Sequence, residues 1–492
     1  MTGFNRKIIN RKSIRMLVIS KKNFMTVAFG AIVVMLYAFF LFFTSSSFEE
    51  DFTIKFSILS SLIIFILEIV YINKLNGGVI NPITLFLMAF YVFQNGQLLL
   101  VALDIPFYDF YISTLKIFLK DVSIFSSLSN VVAGYAGIIC VSILQKEKHY
   151  VIDQYNPLEV GRVAWLGFLG TSILALPLVA MKFLTSLEGG YYAVRAFEEN
   201  IPTLVTFLEF MFMPFSLLTI IFRSDKSSQV ARYGVFIWLV LTALCGDRTT
   251  GISGLLILAL VSYNKNSGNI KYNWKDISKI SFIGLLLIIF IRVVYAYRTG
   301  EDILFALSGG NFLVGFLSEL GISVFPLFTM MYIVPGQEAF LWGQGYILSA
   351  IGGLIPSFLD ITGIVNVINQ QSRIFETWHS QYFWQYSFGL GFSLNAEAYI
   401  NFGWFGLIAI FIVCLIIFSF LRVKNLKEHT SPWELYRISI LLFLWFTLPR
   451  RDSYYIWKAI SYSLIFIRIY IQTTCRRTAF LGKTGSKVEL RK

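Results

Sequence analysis

Five arginines, one histidine and one glutamate have the types and settings that suit chemistry at a membrane surface. The arginines are Arg248, Arg298, Arg373, Arg450 and Arg451; His379 and Glu397 fall between Arg373 and Arg450. A guanidinium stays charged at any working pH, and its planar fork grips phosphate oxygens with two parallel hydrogen bonds. Arg248 lies in Gly246-Asp247-Arg248-Thr249-Thr250-Gly251, a tight turn between two apolar runs. Arg298 follows the run 280–297, Arg373 sits in a long polar segment, and Arg450 and Arg451 lie in Pro449-Arg450-Arg451-Asp452 between the last two runs. Converging, they make an anion site. The alternative for each, and for Arg292, is a snorkelling side chain bonded to lipid headgroups or to a nearby acid such as Asp247 or Asp452. His379 is one of three histidines. Its ordinary pKa of about 6.5 suits a proton acceptor near neutral pH, and equally a simple hydrogen-bonding group. Glu397, just before an apolar run, suits a general base at the membrane rim or an arginine partner.

The elements that must position these residues are apolar runs filling the chain almost end to end. They lie near 24–43, 55–72, 81–103, 122–144, 163–182, 203–222, 233–246, 249–263, 280–297, 311–334, 341–358, 400–421, 434–449 and 454–470. Runs of about 20 residues cross a hydrocarbon core of ~30 Å at ~1.5 Å per residue. Hydrophobic residues are 56% of the chain and charged residues 14%, too few for the surface of a soluble protein of this length. The fold class expected is all-α: a single polytopic membrane domain over 1–492, with about 12–14 transmembrane helices. Glu68, Glu209 and Glu319 fall inside runs, where hydrogen bonding between helices is their first expected role.

The net charge of +13 needs no nucleic acid to explain it. Most basic residues lie in alternate connections: the tail 1–23, Lys146, Lys148 and Arg162, Arg223 to Arg232, Lys265 to Lys279, Arg422 to Arg437, and the tail 471–492. The other connections collect acids: Glu49, Glu50, Asp51, Asp104, Asp109, Glu198, Glu199, Glu301 and Asp302. This positive-inside pattern predicts two cytoplasmic tails and attraction to anionic membrane lipids. The basic N-terminus precedes a full-length run without a small-residue cleavage site, so it reads as a retained helix. Four cysteines without metal-ligand spacing read as packing residues.

Between 298 and 400 the pattern changes. The runs 311–334 and 341–358 are broken by Pro326, Pro335, Gly352, Gly353 and Pro356, and read either as spans or as re-entrant helices; the choice alters the span count by two. Residues 359–399 read as a large extracytoplasmic loop rich in Asn, Gln, Ser, Trp and Tyr, including Trp378 and Trp384. Aromatic faces beside amides and hydroxyls suit a sugar; an interfacial aromatic belt is the alternative. No P-loop, dinucleotide turn, HExxH or zinc spacing is present in the sequence. No cofactor is expected, and the substrate must carry its own activated leaving group.

At Phe388–Gly406, FGLGFSLNAEAYINFGWFG, the chain resembles the late region of Wzy-type O-antigen and capsule oligosaccharide repeat-unit polymerases. Gly246-Asp247-Arg248 between two short runs resembles that family too, as does Gly343-Gln344-Gly345-Tyr346 followed by Ile355-Pro356 ahead of a large loop. The resemblance covers roughly 160–470. It implies a glycosyltransferase in the bacterial inner membrane, acting at its outer face on undecaprenyl-pyrophosphate-linked oligosaccharide, with a chain-length regulator protein as partner. It also implies kinship with lipid-A core ligases. Arg248, Arg298, Arg373, Arg450 and, less directly, Arg451 would bind the pyrophosphate; His379 or Glu397 would take the acceptor proton. A ligase and a flippase of lipid-linked oligosaccharide are the alternatives. Against the flippase stand the absence of a repeat in the sequence and the gathering of suspect charges on one side of the membrane.

Overall fold

The computed structural model describes residues 21–76, 81–107, 110–143, 155–267, 289, 312–360, 362–383, 391–422 and 431–475. The run 280–297 apart from residue 289, with Arg292, Arg298, Trp384 and most of both basic tails, lies outside the described residues. Among the described residues there is no strand, and nine helices are long and apolar enough to cross a membrane. The chain is an all-α polytopic membrane protein. Helices are the physical solution because lipid offers no partner to an unpaired backbone N–H or C=O.

Helices α1 (Lys21–Ser47), α2 (Glu50–Asn76) and α3 (Pro82–Ala102) pack with α4 (Leu119–Ile143). The α4 span is 89% buried and that of α1 only 11%, so α4 is the axis of the bundle and α1 lies on its rim. Small buried residues line α4: Ser123, Ser126, Ser127, Ser129, Ala133, Gly134, Ala136 and Gly137. In lipid, helices gain little by hiding apolar surface from one another, so close backbone approach and interhelical hydrogen bonds hold them together.

Helix α5 (Pro157–Glu199) folds back at Gly190, with φ 69° and ψ −162°. A continuous helix would separate Lys182 from Glu198 by about 24 Å. Instead Lys182 Nζ lies 2.9 Å from Glu198 Oε1, and 2.9 Å from Glu209 Oε1 on α6 (Thr203–Phe222). Glu209 is thus bonded across helices, to a lysine that sequence reading had not paired with it. Helices α7 (Lys226–Leu244) and α8 (Arg248–Ser267) pack on each other as a hairpin.

The two broken runs part ways. Helices α9 (Phe312–Gly321) and α10 (Phe325–Ile333), joined by a 3₁₀ turn, make one run of span length, Leu313–Ile333. The run 341–358 holds only α11 (Gln344–Leu354), whose 11 residues rise about 16 Å, half the membrane core. Pro356 ends it by forcing Ile355 into an extended conformation (φ −99°, ψ 117°). An α-helix of that length is too short to cross the membrane by itself.

Residues 359–399 are more ordered than a loop. They carry α12 (Ile364–Ser372), α13 (Ile374–Tyr382) and the start of α14 (Leu394–Phe402). The run 400–421 is also not one straight span. It breaks at Gly403 (φ 57°, ψ −133°), a backbone that suits glycine. Gly406, at the head of α15 (Gly406–Leu421), comes so close to the Ala398 carbonyl that a Cβ there would lie 2.4 Å from the oxygen. In a straight helix those residues stand about 12 Å apart, so α14 is folded back beside α15. Helices α16 (Pro432–Trp445) and α17 (Tyr454–Ala459, continuing through a π segment Ile460–Phe466 to residue 475) complete the bundle. All four cysteines are buried and unpaired.

The two ends of the bundle differ. One end holds the Lys55–Asp104 pair at 2.9 Å, the Lys182 cluster, the Phe118–Tyr332–Phe383 ring contacts and the turn 448–453. The other holds the Arg223–Asp225 pair, the Phe222–Trp433 contact and Arg437 donating to the Phe420 and Arg422 carbonyls.

Candidate functional site

Helix α14 is the hub of the first end. Ser393 caps it by accepting the Ala396 N–H at 3.1 Å. Three polar side chains then reach three neighbours. Asn395 Nδ2 donates to Ser129 Oγ on α4 at 2.9 Å. Asn401 Oδ1 accepts the Gly345 N–H at the head of α11 at 3.2 Å. Between them, Glu397 is 3% exposed and both its oxygens are engaged by Ser453: the backbone N–H donates to Oε2 at 2.7 Å, and the hydroxyl to Oε1 at 2.6 Å. Glu397 therefore clasps the turn that carries Arg450 and Arg451, and its partner is a serine, not an arginine. Gln94 on α3 fixes the same turn by donating to the Pro449 carbonyl at 2.6 Å.

The turn delivers Arg451 in an extended conformation (φ −135°, ψ 177°) immediately before α17. Within α17, spacing of three to four residues sets Tyr454 or Tyr455, Lys458 and Tyr462 along one stripe. Arg373, at the junction of α12 and α13, reaches this stripe from outside α17. Its Nη2 donates to Tyr455 Oη at 3.0 Å, and its Nε lies 3.8 Å from Asp452 Oδ2. Its Nη1 is 3.6 Å from Glu376 Oε1. The Arg451 guanidinium carbon stands 4.5 Å from the centroid of the Tyr455 ring, Arg373 5.6 Å and the Lys458 ammonium 5.9 Å. Three cations thus surround one phenol ring. Arg373 and Arg451, far apart in the chain, come together here.

The opposing charge is small. The Asp452 side chain is 3% exposed and its Oδ1 accepts no hydrogen bond. Burial pushes this carboxyl above the ordinary range, with the Arg373 guanidinium pulling the other way. Glu376 is 61% exposed, where solvent screens it.

The remaining sequence-selected residues are placed less centrally. Arg450 passes Gly391: its Nε lies 3.5 Å from where a Cβ on that glycine would stand. His379 lies on α13, six residues beyond Arg373, a rise of about 9 Å. Its ring stacks on Phe383 with centroids 5.7 Å apart, and its buried Nε2 has no hydrogen-bond partner. Burial lowers its pKa below the ordinary histidine value. Asp247 Oδ1 accepts from the Thr250 N–H and the Thr249 hydroxyl, so it caps α8, which begins at Arg248. The Arg248 side chain, like all of Arg298, lies outside the described residues.

Tyr454, Tyr455 and Lys458 escaped sequence reading. The signal was present as the stripe Tyr455, Lys458, Tyr462, and as a lysine inside an apolar run, but neighbouring apolar residues hid it.

A family model described as O-antigen polysaccharide polymerase Wzy matches residues 27–479. No curated protein and no solved structure matches the chain. The matched region takes in every span from α1 to α17 and all the residues around the Tyr455 ring. With nearly the whole chain covered and the all-α membrane architecture in place, the chain belongs to the O-antigen polysaccharide polymerase Wzy family.

Proposed function

We propose that this polymerase transfers a glycan from a polyprenyl-pyrophosphate carrier to the non-reducing-end hydroxyl of another lipid-linked repeat, at the outer face of the bacterial cytoplasmic membrane. The observation that carries this reading is the excess of cations around Tyr455 at one end of the bundle. In the transfer, the acceptor oxygen forms a bond to the anomeric carbon while the bond from that carbon to the pyrophosphate oxygen breaks. The acceptor proton goes to His379 Nε2. The pyrophosphate leaves on its carrier, and Arg373 and Arg451 stabilise the charge that develops on it. Glu397 acts through Ser453 by holding the arginine turn in place. Arg248, Arg298 and Arg450 are the further arginines proposed to bind the pyrophosphate.

The test is the glycan profile of a strain lacking the gene. Lipid-linked single repeats accumulate at the outer face, and long chains disappear. Normal long chains would end the polymerase reading. Loss of externally exposed repeats would instead point to a flippase.

Sidedness follows from the charge pattern, with both tails cytoplasmic and the Arg373 end outside. Gln371, exposed on α12, gives a clean probe. A membrane-impermeant thiol reagent labels Gln371→Cys in intact cells and Ser486→Cys only after lysis. Labelling of position 371 only in broken membranes reverses the orientation.

A lowered histidine pKa has a readable sign. His379 is neutral, and able to accept a proton, throughout the neutral range. Its protonation switches the reaction off only below its ordinary pKa of about 6.5. The purified enzyme therefore shows a flat rate near neutrality and an acid limb below about pH 6.5. His379→Ala loses that limb and slows transfer by about two decades or more. An unchanged rate and pH profile in the variant would make His379 a packing residue.

A further inference from the structure

Lys458 is caged without being neutralised. Its Nζ lies 5.7 Å from the ring centroid of Phe210, 5.9 Å from those of Tyr454 and Tyr455, and 5.6 Å from that of Tyr462. Among the described residues no carboxylate lies within ion-pairing distance of it. Ring faces hold an ammonium by their quadrupoles and leave its charge unspent. The contrast with Lys182 is instructive. That lysine, on α5, is met by two carboxylates at 2.9 Å. Among the described residues, one lysine is ion-paired twice and the other has no ion pair.

The surroundings sharpen this. Arg373, Arg451 and Lys458 share the Tyr455 ring, and Asp452 and the exposed Glu376 are the only carboxylates that meet Arg373 among the described residues. Even counting both as ionised, one positive charge is left over. The three cations stand 4.5, 5.6 and 5.9 Å from the centroid of that ring. Two guanidiniums suffice to grip one phosphate through paired hydrogen bonds. A third cation at the same ring fits a second phosphate joined to the first.

We propose that Lys458 binds the second phosphate of a diphosphate ester and makes the site select diphosphate over monophosphate lipids. This rests on the reading of Arg373 and Arg451 as the donor's anion site. It assigns discrimination between the two classes of carrier to a single side chain.

The test uses the purified full chain in lipid nanodiscs, with farnesyl diphosphate and farnesyl monophosphate as probes. The wild-type protein binds the diphosphate at least ten-fold more tightly, the scale of one charge-assisted hydrogen bond. Lys458→Met keeps an apolar side chain in the ring cage and removes the charge. It weakens diphosphate binding by roughly ten-fold and leaves monophosphate binding unchanged; Lys458→Arg keeps most of the preference. A second measurement needs no variant: diphosphate shields Lys458 of the wild-type protein from a small amine-reactive reagent, read by peptide mass spectrometry, and monophosphate does not. An unchanged binding ratio in a folded Lys458→Met protein, or equal shielding by both probes, overturns the assignment. Where Lys458→Met does not fold, the shielding result decides. Binding that requires Arg373 and Arg451 but ignores Lys458 refutes this inference alone. A wild-type protein that binds neither probe refutes the donor-site reading beneath it.

Discussion

Arg373→Ala lowers polymer synthesis by about two decades or more. The guanidinium donates to Tyr455 Oη at 3.0 Å and lies 3.8 Å from the buried Asp452 carboxylate. Loss of one hydrogen bond to a charged group costs about 1.5–3 kcal/mol, or roughly one to two decades in rate if the bond is made to the leaving pyrophosphate. A second cost comes from Asp452, left buried without its cation. Stranding a buried charge costs about 3–5 kcal/mol, and the carboxyl relieves this by taking up a proton. The site then loses a cation and changes its internal charge together. Arg373→Lys restores the charge but not the fork, because one ammonium cannot face Tyr455 Oη, Asp452 and a phosphate in the same plane. About a tenth of wild-type transfer or less is expected from it. Transfer rates of the purified variants with a lipid-linked repeat, alongside membrane insertion, decide the matter. Long chains of normal length made by a correctly inserted Arg373→Ala protein would remove Arg373 from the reaction.

Glu397 separates two roles by its response to an isosteric change. In Glu397→Ala the Ser453 N–H and hydroxyl lose their acceptors in a buried place, and α14 loses its tie to the arginine turn. Two hydrogen bonds to a carboxylate amount to roughly 3–6 kcal/mol. The thermal midpoint should fall by several degrees, and donor binding should weaken as Arg451 loses its placement. Glu397→Gln behaves differently. Its Oε1 accepts the Ser453 N–H and its amide nitrogen donates to Ser453 Oγ, so the clasp survives. A positioning role therefore predicts that Gln restores transfer to within a few-fold of wild type. A proton-accepting role predicts that Gln is as inactive as Ala. Measuring KM and kcat separately for the two variants distinguishes them: the clasp acts mainly on donor binding, a lost base on kcat alone. An inactive Glu397→Gln enzyme with normal donor affinity would return Glu397 to the chemistry.

Several features of this polymerase were legible from residue order. Apolar runs of span length dictate helices because lipid leaves backbone groups no other partner. The motif around Ala396-Glu397-Ala398 lies on α14, although its part in the fold was hidden from the sequence.

Other features required the fold. Whether 341–358 crosses depended on where Pro356 stops α11, and a window average of hydropathy does not register that stop. The run 400–421 looked continuous because Gly403 changes the chain direction without changing its polarity. The meeting of Arg373 with Arg451 joins the α12–α13 junction to the head of α17, and no spacing in the chain encodes it. Lys458 stayed out of view for a related reason. Sequence showed a lone cation in an apolar stretch; only the packing of α6 against α17 showed that rings surround it and that no acid among the described residues pairs with it. Sequence thus determined solvent, secondary structure and charge, which depend on neighbours along the chain. Tertiary structure decided which charges stand together unpaired, because that depends on distances across the chain, where electrostatic energy is set.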